Sequence, residues 1–250
     1  MGVESHLSQA EPFLANEVFA VNDFSQTKIS YRVMSGLGTS ENTPEMVPVV
    51  EVDNVFSDFS RVRTLVDQTP PCNWKHKEGS RNFIDYYDCR IRYPIISQLD
   101  LFERTQELVK EYFEVDTKVH GALDVNWFKQ IKDKEADFAY PHSDDINRIG
   151  LITCIIYGNY KHECSGGTGL FWCLNKNHQL IEDGSRYWPL NHEDVWDMRS
   201  VVEMEENKMM IFPSVHDHAA YHPINSWKEF PRLTFVFRLQ VIDGIWSPNE

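Results

Sequence analysis

The chain has 250 residues, of which 42% are hydrophobic and 13% aromatic, a composition typical of a folded globular protein and not of a disordered one. Its 38 acidic and 24 basic residues give a formal net charge of −14, which disfavours non-specific binding to nucleic acid or to an anionic membrane surface. No apolar run is long enough to span a bilayer, no secretory signal is visible, and the five cysteines include no Cys-x-x-Cys pair, so we expect a cytoplasmic protein with reduced thiols.

Residues 1–117 have the pattern of short strands and two amphipathic helices. Apolar or alternating runs predict strands at 18–21, 28–33 and 47–52. Asp58 is a suitable N-cap for a helix that ends near Asp67, and apolar residues at helical spacing predict a second helix over 99–113. The polar and aromatic segment 73–92 between them has the character of a loop with short strands.

Short β-rich runs separated by turn clusters dominate the chain from residue 118 onward. The candidate strands are 121–131, 150–157, 169–174, 207–212 and 233–241, with a polar excursion over 175–197. Strands at this spacing are typical of an all-β sandwich or barrel. We therefore expect a single domain over 1–250 that is mainly β with flanking helices (α+β), in which strands and helices of 1–117 buttress a jelly-roll core at 118–241.

The first segment with candidate functional residues is Tyr-Pro-His-Ser-Asp-Asp at 140–145, which places His142 and Asp144 two residues apart. On an extended strand these two side chains point to the same face, where an imidazole and a carboxylate can take adjacent positions around a metal ion. His-x-Asp alone occurs often by chance, so an ordinary surface turn is the alternative interpretation.

A third metal ligand is available in the segment 209–222, where an apolar strand runs into His216, His218 and His222. Two histidines and one carboxylate on a β scaffold form the facial triad of non-haem Fe(II) oxygenases, which leaves metal positions open for other ligands. All three histidines have even spacing, so on an extended strand they share one face and periodicity does not choose between them. A surface histidine cluster, or a site for adventitious metal, is the alternative.

Two further side chains, Arg232 and Thr234, are candidates for binding a carboxylate. Arg232 leads an alternating strand on which Thr234 points to the same face. A fixed guanidinium suits a carboxylate deep in a pocket, and the hydroxyl can bond to the same group, whereas an edge-strand arginine in solvent is the alternative. Tyr157 ends the apolar run 151–157 and can aim its hydroxyl into the barrel, unless it is an ordinary core tyrosine.

The order of these motifs carries more information than any one of them. His-x-Asp is followed by the apolar strand with its tyrosine, a Gly-Gly pair at 166–167, Phe-Pro-Ser with histidine at 212–218, and Arg-x-Thr at 232–234. In this order the sequence resembles the Fe(II)- and 2-oxoglutarate-dependent dioxygenase superfamily, most closely its prolyl-hydroxylase-like branch. The resemblance covers roughly 118–241, reaches back to 47–67, and implies a double-stranded β-helix core of the jelly-roll or cupin type.

Carried over residue by residue, the resemblance implies roles for the matching positions. His142 and Asp144 become the first two iron ligands. Arg232 becomes the group that grips the distal carboxylate of 2-oxoglutarate. Thr234 and Tyr157 add hydroxyl contacts to the same cosubstrate.

The third iron ligand stays open between three histidines. The family's Phe-Pro-Ser segment usually reaches its histidine a few residues on, which favours His218 as the ligand. The family's usual spacing to the basic residue favours His222, which precedes Arg232 by ten residues, whereas His218 precedes it by fourteen. The loop at 225–231 resembles an insertion, which would account for the longer spacing from His218. His216 is the remaining candidate.

The resemblance also implies a reaction. Such an enzyme uses Fe(II), 2-oxoglutarate and O2, and hydroxylates an unactivated C–H bond of a small molecule, amino acid or peptide with release of succinate and CO2. Asp144 supports hydroxylation, because halogenases of this superfamily lack that carboxylate. Two alternatives remain: a non-catalytic jelly-roll binding or structural domain, and a zinc-dependent cupin-type enzyme. The loops at 73–92 and 175–197 are candidates for the rim of the site.

Overall fold

The computed structural model describes residues 18–34, 45–68, 75–76, 85–92, 100–120, 124–131, 141–145, 149–173, 196–221, 227 and 229–243. In chain order its helices and strands are β1 (Thr27–Met34), β2 (Glu45–Val52), α1 (Phe59–Asp67), β3 (Lys75–His76), β4 (Asp85–Arg92), α2 (Asp100–Phe113), β5 (Asp116–Val119), β6 (Asp124–Ile131), β7 (Leu151–Tyr157), β8 (Gly167–Cys173), β9 (Trp196–Glu203), β10 (Met209–Pro213), β11 (His218–Tyr221) and β12 (Arg232–Asp243). A short 3-10 helix, Lys161–Glu163, lies between β7 and β8.

Within the described residues, two antiparallel sheets form the body of the fold. The larger sheet has nine strands in the order β1-β2-β10-β7-β12-β6-β4-β3, with β5 paired to β12, and the smaller sheet has the order β11-β8-β9. Chain-distant neighbours such as β7 between β10 and β12 are characteristic of a jelly roll, in which two sheets share one interior. The expected class, mainly β with flanking helices and a double-stranded β-helix core, is therefore confirmed.

The two helices begin and end where the sequence predicts. The Asp58 side chain accepts a hydrogen bond from the Arg61 N–H at 3.1 Å, which caps α1. Apolar residues of α1 and α2 pack together with one face of β2, β7, β10 and β12 in the larger hydrophobic core. The T-shaped contact of Phe102 on α2 with Phe237 on β12, at 4.9 Å between ring centroids, belongs to this layer. The helices therefore cover the outer face of the larger sheet.

The other face of the larger sheet looks into the interior that it shares with the smaller sheet. All seven residues of β7 are buried because this strand has a layer on each side. Cys154 packs in the helix-covered core, whereas Ile155 and Tyr157 pack with residues of β8 and β9. The β12 register sets Thr234 beside Tyr157, and strand alternation gives Thr234 and Arg232 the same face.

Several segments differ from their predicted structure. Residues 18–21 form no strand, and only a single bridge joins Val21 to Phe56. The segment 85–92 is one full strand, because its polar and aromatic residues pair along β6. β9 was not predicted. It is an edge strand of the smaller sheet, and its charged and partly exposed residues give it a composition similar to that of the preceding polar loop. Residues 175–195 of the predicted loop lie outside the described residues.

Among the described helices, none has the length and apolar character needed to cross a membrane.

Candidate functional site

His142 and His218 come together through their backbones. Each donates its N–H to the carbonyl of the other at 2.9 Å, so the segment 141–145 is bridged to the first residue of β11. This isolated antiparallel bridge sets the two side chains directly opposite each other, and their ring centroids are 4.6 Å apart. Two residues separated by 76 positions in the sequence are thus held by the same pair of main-chain hydrogen bonds.

Asp144 is fixed by the loop in which it lies. Its N–H and the Ser143 hydroxyl both donate to the carbonyl of Ser214, at 2.9 and 3.0 Å. The carboxylate of Asp145 accepts the backbone N–H groups of residues 149–151 at 2.9, 3.0 and 2.9 Å, which closes the loop on its other side. The side chain of Asp144 is therefore presented on a backbone that is anchored at both ends.

The three predicted ligands meet in space. One ligand atom from each of His142, Asp144 and His218 lies within 4.8 Å of the others. Nε2 of His142 is 3.7 Å from Asp144 Oδ1, and Nε2 of His218 is 3.5 Å from Oδ2. Donors that each lie about 2.1 Å from a common ion are roughly 3–4 Å apart. Two imidazole nitrogens and one carboxylate oxygen are a donor set that fits a divalent transition metal.

The orientation of His218 is set by a hydrogen bond on its far side. Its Nδ1 lies 3.0 Å from the backbone carbonyl of His216, and because a carbonyl only accepts, Nδ1 carries the hydrogen in this contact. In the neutral ring the lone pair then resides on Nε2, which faces Asp144. This is the arrangement that metal-binding histidines adopt when a partner outside the metal site fixes the tautomer.

The structure distinguishes two of the three candidate histidines of 209–222. His216 and His218 both follow the turn at 214–215 that ends β10, but of these two only His218 lies in a strand, as the first residue of β11. His218 joins the cluster, the carbonyl of His216 supports it, and His222 lies outside the described residues.

Asp144 is a mostly buried carboxylate beside His218 and Arg238. Burial by itself would raise its pKa, but a hydrogen bond from the His218 ring, in the form that also carries a hydrogen on Nε2, and the Arg238 guanidinium outweigh burial and hold the pKa of Asp144 well below its usual range. Arg238 donates to Oδ2 at 2.7 Å, and the Thr153 hydroxyl donates to the same oxygen at 3.3 Å. Asp144 is consequently ionised at neutral pH, as a cation ligand must be.

Arg232, predicted to bind a carboxylate, lies in the interior and not in solvent. Arg232 is only 5% exposed, and its Nη2 donates a hydrogen bond to the hydroxyl oxygen of Thr168 on β8 at 3.0 Å. Its Cζ is 5.5 Å from the centroid of the Tyr157 ring. Burial lowers the pKa of Arg232, although a guanidinium stays charged at any physiological pH. The interior therefore contains a desolvated positive charge.

Tyr157 continues the hydrogen bonds that begin at Arg232. Its hydroxyl lies 2.8 Å from the Thr168 hydroxyl and donates to the Val202 carbonyl at 3.2 Å. With that hydrogen used, Thr168 donates to Tyr157 and keeps its lone pairs for Arg232. Burial raises the pKa of Tyr157, so the phenol is neutral. Thr234, 2% exposed, faces the same interior from β12.

Sequence reasoning missed three groups that shape this site. Arg238 shares the strand face of Arg232, and that alternation is the one signal that was present. Thr168 lies in the Gly-rich run 165–169, which has the sequence pattern of a turn, although β8 begins inside it at Gly167. Thr153 faces Asp144 from β7 and also bonds the Ser214 hydroxyl at 2.6 Å. The contacts of Arg238 with Asp144, of Thr168 with Arg232 and of Thr153 with Ser214 join segments that are far apart in the chain.

Comparison with known proteins identifies the fold. No family model matches the sequence, and no curated protein matches it closely enough to count. Among solved structures, the epimerase SnoN in complex with Fe3+, alpha ketoglutarate and nogalamycin RO matches with a TM-score of 0.50 and 13% identity, over 77% of this chain and 78% of SnoN. HygX from Streptomyces hygroscopicus, solved with nickel and 2-oxoglutarate, matches with a TM-score of 0.46 and 11% identity, over 77% of this chain and 82% of HygX.

A prolyl 4-hydroxylase from Phytophthora capsici also matches, with a TM-score of 0.42 and 12% identity, over 80% of this chain and 60% of that protein. At such low identities the likeness concerns the arrangement of strands and not the chemistry. The sheet topology and the match to SnoN agree on this arrangement. The chain has the double-stranded β-helix fold of the 2-oxoglutarate-dependent oxygenases.

Proposed function

We propose that this protein is a non-haem Fe(II)- and 2-oxoglutarate-dependent oxygenase that hydroxylates an unactivated C–H bond of a small molecule, amino acid or peptide. In the balanced reaction one atom of O2 enters the hydroxyl of the product and the other enters succinate, as 2-oxoglutarate loses CO2. The observation that carries the proposal is the convergence of His142, Asp144 and His218 to within 4.8 Å.

The donor set favours a metal that keeps open positions. Two imidazoles and one carboxylate on one side of an ion leave the opposite positions free for the cosubstrate and oxygen, as in non-haem Fe(II) oxygenases. In this proposal His142, Asp144 and His218 are the iron ligands. The same donors also bind Zn(II) in hydrolytic enzymes. The buried guanidinium of Arg232 favours the oxygenase, because hydrolytic zinc chemistry gives that charge no role.

Arg232 is proposed to hold the distal carboxylate of 2-oxoglutarate. It lies on the interior face of the larger sheet, where Thr168 accepts from its Nη2 and fixes the guanidinium plane. A carboxylate bound there forms charge-assisted hydrogen bonds away from bulk water, where they are stronger. Thr234 can donate to the same carboxylate. Tyr157, whose hydroxyl bonds Thr168, acts through that threonine. SnoN, which shares the fold, was solved with alpha ketoglutarate.

The chain's own groups prepare the site for these ligands. Arg238 and Thr153 both hold Oδ2 of Asp144, which leaves Oδ1 oriented for an ion and favours binding through one oxygen. The carbonyl of His216 sets the His218 ring with Nε2 toward the same point. Bound iron would supply the oxygen activation that no protein side chain can perform.

Anaerobic titration of the metal-free protein with Fe(II) and 2-oxoglutarate tests the proposal. Chelation of the keto acid by iron gives a weak visible charge-transfer band, and we expect the band in the unmodified protein. His142→Ala and Asp144→Ala should abolish it. The matched control is His162→Ala, because His162 is exposed on the 3-10 helix and stacks on Tyr160 outside the site.

Absence of the band in the folded protein, as judged by circular dichroism, would overturn the proposal. With the band established, incubation in air should convert 2-oxoglutarate to succinate slowly without added substrate. Candidate small molecules, amino acids and peptides that accelerate this conversion and gain one oxygen atom by mass are then substrates. A compound that accelerates succinate release but gains no oxygen points to another oxidation at the same iron.

A further inference from the structure

Trp227 is a buried tryptophan in the segment between β11 and β12. Its residue is 2% exposed, and its indole N–H donates to the carbonyl of Ser165 at 2.9 Å. Its backbone has φ +66°, in the left-handed region that a non-glycine residue occupies only when its surroundings demand it. The indole is thus held in one position by a hydrogen bond, by packing and by an uncommon backbone conformation.

The Trp227 ring contacts the guanidinium of Arg232. The Cζ of Arg232 lies 5.7 Å from the Trp227 ring centroid and 5.5 Å from that of Tyr157. Both distances are within the range of cation–π attraction, which is strongest for tryptophan and larger when the cation is desolvated. Two aromatic rings therefore stabilise the charge of Arg232 at a place where burial opposes it.

The positions of Trp227 and Thr168 beside Arg232 both depend on the start of β8. The indole is tied to Ser165, just before β8, and Thr168 on β8 accepts the Arg232 Nη2 hydrogen bond. The start of β8 thereby fixes both a polar and an aromatic neighbour of the guanidinium. Trp227 itself lies between His218 and Arg232 in the chain, so the connection between β11 and β12 supplies an aromatic neighbour of the charge.

We propose that Trp227 is a positioning residue that determines specificity for a dicarboxylate cosubstrate: its ring positions Arg232 and excludes water from the guanidinium that holds the distal carboxylate. This inference rests on the proposed function. A carboxylate–guanidinium pair gains strength when water is excluded, because the local dielectric is lower. Loss of the ring weakens the distal carboxylate contact and leaves the metal-binding end of the cosubstrate unchanged.

Two keto acids separate this effect from a general loss of structure. 2-Oxoglutarate has both ends, whereas 2-oxopentanoate has the metal-binding 2-oxo acid end and no distal carboxylate. We would measure Kd for each by the charge-transfer band at saturating Fe(II), 2-oxopentanoate by competition where its own band is weak. The proteins are the unmodified chain, Trp227→Leu, Trp227→Phe and the control Phe230→Leu. Phe230 lies in the same segment but packs on His162, at 5.7 Å between ring centroids.

We expect Trp227→Leu to weaken 2-oxoglutarate about ten-fold and 2-oxopentanoate by less than two-fold, from the magnitude of a desolvated cation–π contact. Trp227→Phe keeps a ring and should fall between Trp227→Leu and the unmodified protein. Phe230→Leu should leave both Kd values unchanged. In Trp227→Leu the Kd of 2-oxoglutarate should rise while the Kd of Fe(II) stays constant, a separation that a merely structural role for Trp227 does not predict.

An equal loss of affinity for the two acids, or no loss for either, would overturn the inference and leave the proposed function standing. If Trp227→Leu does not fold, Trp227→Phe gives the same test with a smaller expected change. If the unmodified protein binds neither acid in the presence of Fe(II), both the inference and the proposed function are wrong.

Discussion

Arg238 donates to Oδ2 of Asp144 at 2.7 Å, so a strand residue of β12 holds the carboxylate that faces both histidines. A positive charge beside a metal site is at first sight unfavourable for a cation. Here it acts on the carboxylate instead: it helps to keep Asp144 ionised and takes up one of its two oxygens. The remaining oxygen, Oδ1, then lies 3.7 Å from Nε2 of His142, and this fixed orientation is the gain that offsets the repulsion between two cations.

Replacement of this guanidinium should weaken iron binding. We expect Arg238→Gln to lower Fe(II) affinity about ten-fold, because outer partners of metal ligands typically contribute ten- to hundred-fold. Competition with a chromophoric chelator measures the affinity. The control is Arg199→Gln, which breaks another 2.7 Å arginine–aspartate pair, with Asp197 on β9. Unchanged or increased Fe(II) affinity in Arg238→Gln would mean that charge repulsion, and not carboxylate orientation, dominates.

Thr168 offers a second test, at the proposed site of the distal carboxylate of 2-oxoglutarate. Thr168→Val keeps the shape of the side chain and removes the oxygen that accepts from Arg232. A hydrogen bond to a charged group contributes about 2 kcal/mol, so the Kd of 2-oxoglutarate should rise roughly thirty-fold while Fe(II) affinity stays constant. Thr105→Val on α2 is the matched control, since that buried hydroxyl bonds only within its helix and to Met209. A Kd that does not change would remove Thr168 from the pocket.

The sequence predicted the regular parts of the fold well. Asp58 and the helical spacing of apolar residues located α1, and the apolar runs located β2, β7 and β10 to within two residues. These signals are local, since a cap, a period and a hydrophobic run each lie within one segment. β9 was not predicted because an edge strand with one solvent-exposed face needs few apolar residues and so lacks a clear hydrophobic pattern.

The site was predictable only as a set of candidates. His142 and Asp144 were nominated by local spacing, but their meeting with His218 depends on a backbone bridge across 76 residues. The even spacing of His216, His218 and His222 did not choose between them. Contacts such as Arg238 with Asp144 and Trp227 with Arg232 are set by strand register and sheet packing, which one sequence does not encode locally.

The ion pair of Arg63 with Glu163 should make the free energy of unfolding depend on pH in the acidic range. It connects α1 to the 3-10 helix, with Nη1 of Arg63 2.5 Å from Oε2 of Glu163. Burial raises the pKa of Glu163, but Arg63 and the Tyr160 N–H outweigh it and hold that pKa below 4.5. A depressed carboxyl pKa contributes stability above the unfolded-state value, and that contribution is lost as the pH falls toward the folded-state value.

Glu163→Gln should therefore destabilise the protein by about 1–2 kcal/mol at pH 7, a range that allows for partial solvent screening of the pair. The difference from the unmodified protein should shrink as the pH falls below 4.5. Urea unfolding at pH 7 and at pH 4 measures both values. Glu103→Gln, an exposed substitution on α2, is the control and should have little effect at either pH. A destabilisation by Glu163→Gln that is equal at the two pH values would contradict the role of its charge.

Asp145 links the stability of the loop to the metal site. Its carboxylate accepts three backbone N–H groups, and it directly follows Asp144, so the loop that presents Asp144 depends on both oxygens. Asp145→Asn replaces one oxygen by an amide N–H2 that faces N–H groups and cannot bond to them. We expect the free energy of unfolding to fall by about 2 kcal/mol and Fe(II) affinity to fall with it, because the anchored position of Asp144 is lost.

Both effects are measurable on the same samples, by urea unfolding of the metal-free protein and by chelator competition for Fe(II). Asp116→Asn is the control, because its carboxylate pairs with Lys110 on the surface at 2.8 Å and lies outside the loop. If Asp145→Asn lowers the free energy of unfolding but leaves Fe(II) affinity intact, the loop matters for folding alone. In that case the bridge between His142 and His218 is sufficient to position the ligands, and the anchoring of Asp144 by its own loop is not required for metal binding.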